Sequence, residues 1–174
     1  MTTIVTVPSE ELRKPTQPVK ALDARVLKVL QDMENALRKA KKPEGVGLAA
    51  PQIGESLSIF MIRPDPIGPI TTFINPLIIK YSQRQINPHS KGGVYEGCLS
   101  LPNHYAPLKR SSAVTVKYQD INFQEKTETF TGFAAHVIQH EYDHLNGILF
   151  IDRVLEQNSK LFKVNGDEWE EVSL

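Results

Sequence analysis

The stretch best equipped for chemistry in this 174-residue sequence is His140-Glu141-Tyr142-Asp143-His144. On a helix, residues four apart lie about 40° apart around the axis and one turn along it. Two imidazoles can then point at one ion, with Glu141 beside them as a general acid/base, which is the mechanical content of the H-E-x-x-H pattern. The competing reading is a helix that merely carries two surface histidines. A catalytic metal needs about three protein ligands and an open position. His136 lies eight residues from His144, about 12 Å along the axis, too far to share an ion whose ligand bonds are near 2 Å. It is expected as a pocket or surface residue. His89 and His104 qualify by residue type alone. Cys98 is the better third ligand: it sits in Glu96-Gly97-Cys98-Leu99-Ser100, away from any clear apolar run. A lone cysteine is otherwise a small buried hydrophobe.

These residues need elements to hold them. Leu22 to Lys41 predicts a helix, with Leu22, Val26, Val29, Leu30, Met33 and Leu37 on one face. Asp23 is its expected cap and Pro43 lies beyond its end. The cations Arg38, Lys39, Lys41 and Lys42 suit a solvated last turn. Gly45 to Gly54, rich in glycine and poor in charge, predicts a loop or bent strand whose backbone approaches something closely. Ser58 to Arg63 and Thr71 to Lys80 predict strands across a turn at Pro64, Pro66 and Pro69. Ala113 to Gln119 and Glu125 to Thr131 predict a paired hairpin. Phe133 to Asn146 predicts the second long helix, capped by Thr131 and stopped by Gly147. The tail from Leu155 to Leu174 gives mixed signals. The expected fold class is α+β, with a mainly antiparallel sheet.

Composition narrows the function. Twenty basic residues balance twenty acidic ones, which argues against a dedicated nucleic-acid site. No apolar run approaches the roughly 18 residues of a membrane span, and Met1 to Val19 lacks a signal pattern. The expected location is the cytoplasm, or an organelle after loss of a presequence. One cysteine permits no internal disulfide. The length suits one domain over residues 1–174.

Three segments together resemble the peptide deformylase family: Gly45-Val-Gly-Leu-Ala-Ala-Pro-Gln52, Glu96-Gly-Cys-Leu-Ser100 and Gln139-His-Glu-Tyr-Asp-His-Leu145. The resemblance extends from Leu12-Arg-Lys-Pro15 through Asp152-Arg153. It implies antiparallel strands around a central helix bearing both histidines. It also implies hydrolytic removal of the formyl group from the N-terminal formyl-methionine of nascent polypeptides, with transient ribosome contact. By position, Cys98, His140 and His144 would be metal ligands and Glu141 the general acid/base. Gln52 and the Leu99 N–H would bind the oxyanion. The backbone of Val46, Gly47 and Gly97 would hold an extended peptide. Val94, Phe133, Val137 and His136 would wall the methionine pocket. Ferrous iron is the implied native ion, with Zn2+, Ni2+ or Co2+ as substitutes. In place of the arginine that often follows E-G-C-L-S in this family stands Tyr105, so peptide preference is expected to differ. Asp143 is expected to pair with Arg110 rather than bind the ion. The rival readings are a metallopeptidase with the same H-E-x-x-H pattern, a Cys98-nucleophile hydrolase, and a non-enzymatic binding protein.

Overall fold

The computed structural model describes residues 3–41, 44–91 and 93–173. In chain order the elements are α1 (Ala24–Lys39), β1 (Gly47–Ala49), β2 (Ile59–Ile62), β3 (Thr71–Tyr81), β4 (Gln85–Ile86), β5 (Glu96–Cys98), β6 (Leu101–Ala106) and β7 (Arg110–Ser111). Then follow β8 (Ala113–Gln119), β9 (Glu125–Thr131), α2 (Gly132–Leu145), α3 (Phe150–Glu156), β10 (Leu161–Asn165) and β11 (Glu168–Val172). The strands form a five-stranded sheet in the order β1-β2-β3-β8-β9, a four-stranded sheet β11-β10-β6-β5 and the short pair β4-β7. Every pairing within these sheets is antiparallel. The fold is α+β, as the sequence predicts.

The alternation of strand side chains sorts the core. Phe60 and Ile62 of β2 pack toward α2 with Phe73, Val114, Val116, Val137 and Ile138. Ile59 and Met61, on the opposite face, pack with Val26, Val29, Leu30, Met33 and Leu37 of α1. Burial on both faces explains why β2 reads Ile-Phe-Met-Ile with no polar interruption. Helix α1 starts where Asp23 Oδ1 accepts the Val26 N–H at 2.8 Å. Its last turn carries Arg38 and Lys39, as expected; Lys42 and Pro43 lie outside the described residues. A third core under the four-stranded sheet joins Cys98, Ala106, Leu108 and Leu161 to Phe150 and Val154 of α3.

Helix α2 runs between these layers and is buried on nearly all sides from Ala135 to Leu145. Thr131 occupies its N-cap with extended backbone, but the side chain makes no capping bond; only the position of the cap matches expectation. Gly147 adopts φ +71 just beyond the end, the left-handed turn that glycine accommodates best. The tail with mixed signals begins in the last turn of α3 and continues as the β10-β11 hairpin, which extends the second sheet through Phe162↔Tyr105 and Lys163↔His104. Among the described residues no helix is long and apolar enough to cross a membrane.

Candidate metal centre

Two sheets and the central helix converge on Cys98, His140 and His144. The histidines sit one turn apart on α2 with ring centroids 4.9 Å apart, and Cys98 ends β5 opposite them. Cys98 Sγ lies 3.3 Å from His144 Nε2, and one ligand atom from each of the three residues falls within 4.8 Å of the others. A tetrahedral ion with bonds of about 2.1–2.3 Å sets its ligands about 3.4–3.8 Å apart, so the spacing suits a single ion. Thiolate plus two imidazoles also suits the divalent ions of the first transition row. The site is held in place by the N-terminal segment: the Val5 N–H donates to the Gln52 carbonyl at 2.8 Å, and the Val7 N–H to the Ser100 carbonyl at 2.9 Å.

Glu96 braces His140 from behind. Its Oε1 accepts from His140 Nδ1 at 2.7 Å and Arg110 Nη2 at 2.7 Å, and its Oε2 accepts from Arg110 Nε at 2.9 Å. Because Nδ1 is held by a carboxylate, His140 turns its Nε2 toward Cys98 and the prospective ion. His136 Nε2 also lies 2.9 Å from Glu96 Oε2, a close polar contact without hydrogen-bond alignment. Burial pushes the Glu96 carboxyl up, but Arg110 and the two histidines outweigh it and hold it well below the usual range. For His140, burial acts downward and Glu96 overcomes it, raising the imidazole. Burial, reinforced by His140, drives His144 well below its ordinary value, so it is neutral and can act as a ligand.

The network continues outward. Arg110 Nη1 donates to Asp143 Oδ2 at 2.7 Å, and Arg153 grips the same carboxylate at 2.6 and 2.9 Å. The Arg110–Asp143 pair expected from the sequence is therefore present, and Asp143 is turned away from the prospective ion. Removing one member of a buried ion pair typically costs about 3–5 kcal/mol, because the partner charge is left uncompensated. Glu96 and Arg153 were not singled out by sequence reasoning. The signal for Glu96 is its place in E-G-C-L-S, and for Arg153 its place at the end of the resembling span, neither of which indicates the contact it makes.

Glu141 lies beside this group, 3% exposed, with Oε2 making no hydrogen bond among the described residues. Burial raises its carboxyl to about 7, with His140 and Arg110 opposing and Glu96 adding to the rise. Its other oxygen rests on Gly47: a Cβ there would stand 2.2 Å from Oε1. Glycine at 47 is thus a requirement of close approach. Gln52 is equally constrained. Its Oε1 accepts the Ala49 N–H at 2.8 Å, which turns Nε2 toward Ser100 Oγ at 3.2 Å and Cys98 Sγ at 3.6 Å.

One cavity opens onto this cluster, lined by Val46, Gly47, Gln52, Val94, Gly97, Leu99, Tyr105, Phe133, His136, Val137, His140 and Glu141. Every residue predicted to touch substrate lines it. His136 is 3% exposed and contacts Glu96, so it is a pocket-wall residue and not a surface one. His89 and His104 are outside the ligand group. Strands β1 and β5 are edges of their sheets, so the cavity is flanked by two open backbone edges. The Val46 carbonyl accepts the Arg63 N–H at 2.7 Å.

The comparisons agree with this geometry. The family model for polypeptide deformylase matches residues 1–160. The peptide deformylase of Desulfotalea psychrophila is 37% identical over 170 residues, covering 95% of each chain. That of Chlorobium phaeovibrioides is 36% identical over 172 residues, covering 95% of this chain and 84% of its own. The crystal structure of the Thermotoga maritima peptide deformylase superimposes with a TM-score of 0.77 at 35% identity, over 88% of this chain and 97% of that one. A plant peptide deformylase structure gives a TM-score of 0.79 at 31% identity, over 90% of this chain and 82% of that one. With most of its length matched in sequence and in fold, the chain belongs to the polypeptide deformylase family.

Proposed function

We propose that Cys98, His140 and His144 hold one divalent ion, Fe2+ in the native protein, and that Glu141 and Gln52 work beside it. The chain is a metal-dependent hydrolase that removes the N-formyl group from nascent polypeptides. The observation that carries the residue assignment is the convergence, at one end of one cavity, of three ligand atoms, a buried carboxyl with a free oxygen and a fixed amide donor.

A bound divalent ion would polarise the formyl carbonyl and acidify water at its open position. The chain's own groups do the rest. Glu141 takes a proton from the attacking water and returns it to the nitrogen as the C–N bond breaks, releasing formate and a free amine. Gln52 Nε2 and the Leu99 N–H donate to the carbonyl oxygen as it gains charge. The peptide lies extended between the β1 and β5 edges, bonded by the backbone of Val46, Gly47 and Gly97. The methionine side chain enters between Val94, Phe133, Val137 and His136. The whole of residues 1–174 is read as one catalytic domain. It works in the cytoplasm, or in an organelle once a presequence is removed, and meets its formyl-methionyl substrates by transient contact with the ribosome.

The ion is tested by anaerobic purification, chelation and reconstitution with Fe2+, Zn2+, Ni2+ or Co2+ in turn. Chelation should abolish activity and Fe2+ should restore it to the native level. Activity surviving complete metal removal would refute the metal assignment, and native activity restored only by another ion would refute iron.

A further inference from the structure

We infer that Trp169 of the C-terminal hairpin builds, with Tyr105 and Tyr95, an aromatic platform selecting substrates with an aromatic residue two places after the formyl-methionine. The inference rests on the peptide position given above. The register of the second sheet carries the argument. Gly97 stands opposite Tyr105, Tyr105 opposite Phe162, and Phe162 opposite Glu171. Registered partners share a sheet face, and so do residues two apart on a strand. Gly97, Tyr105, Phe162 and Trp169 therefore project from one face, while Ala106 and Leu161 face the core on the other.

The row is packed. Trp169 lies 5.4 Å from the Tyr105 ring, 5.8 Å from Tyr95 and 6.1 Å from Phe162, centroid to centroid. Tyr105 folds over Gly97, where an added Cβ would come within 2.7 Å of the ring. Tyr95 and Tyr105 both line the cavity that contains Phe133 and Val137, so the platform is continuous with the methionine pocket. Trp169 backs the two tyrosines while remaining 52% exposed. In an extended peptide, side chains one and three point to the same side. The third residue then lies along the aromatic row while methionine fills the pocket. Trp169 acts through Tyr105 and Tyr95 and is a positioning residue.

The test compares formyl-Met-Ser-Phe with formyl-Met-Ser-Ser on the same metal-loaded protein, so that active fraction cancels in the ratio of kcat/KM. With one aromatic contact separating the two peptides, the wild type should favour the phenylalanine peptide by roughly fivefold, chiefly through KM. Trp169→Ala should bring the ratio to about one, and Trp169→Phe should restore most of it. A wild-type ratio near one, or a preference that survives Trp169→Ala, overturns the inference. Failure of the wild type to deformylate either peptide would instead overturn the catalytic reading beneath it, and this inference with it.

Discussion

Glu141→Gln is expected to keep its metal and lose about 10²–10⁴-fold in kcat, the range ascribed to a positioned general acid/base. The substitution is nearly isosteric, so contact with Gly47 and burial beneath the cavity are retained. What disappears is the ability to take up a proton and hand it on. Glu141 is not among the three grouped ligands, so metal content should remain that of the wild type. Measuring kcat and bound metal on one sample checks both halves. Near-native turnover with metal in place would assign the base elsewhere. Loss of the metal would mean that Glu141 helps to hold it.

The second large effect is at Gln52. Gln52→Leu removes the amide donor that the Ala49 N–H orients toward Cys98. The expected cost is roughly 3–4 kcal/mol of barrier, a few hundredfold in kcat, as for other oxyanion donors. It also leaves the buried Ala49 N–H without its acceptor, which costs about 1–3 kcal/mol of stability. Thermal melting of the variant separates the two, since a destabilised but folded enzyme still shows its own kcat. An unchanged kcat would remove Gln52 from the oxyanion site.

The parts of this molecule that were legible in the sequence share a physical reason. Helix α1 and strand β8 each bury one face and expose the other, so their hydrophobic periods are clean; strand β9, with no buried residue, was legible only as the partner of β8 across the turn at Asp120 to Gln124. Helix α2 is buried nearly all round and lacks such a stripe; it was legible from its boundaries, Thr131 before it and Gly147 after it. Strands β5 and β6 were not read because β5 has three residues and β6 carries Pro102. The C-terminal hairpin was missed although Asn165-Gly166 is a turn signal. Gly166 has φ +64 and the Asn165↔Glu168 pair closes the turn. The two histidines could be proposed because a metal constrains residue types and spacing, and the family resemblance completed the set with Cys98 as the third candidate. The support behind it could not, since Glu96 meets His140 across 44 positions of sequence and nothing local encodes that contact.

The central claim, that this chain deformylates through a metal held by Cys98, His140 and His144, is tested most directly by one assay. Anaerobically purified protein is given a short formyl-methionyl peptide, formate release is followed, and metal is determined on the same sample. The account predicts steady formate release at about one metal ion per chain. No formate from protein with a full metal site would contradict it.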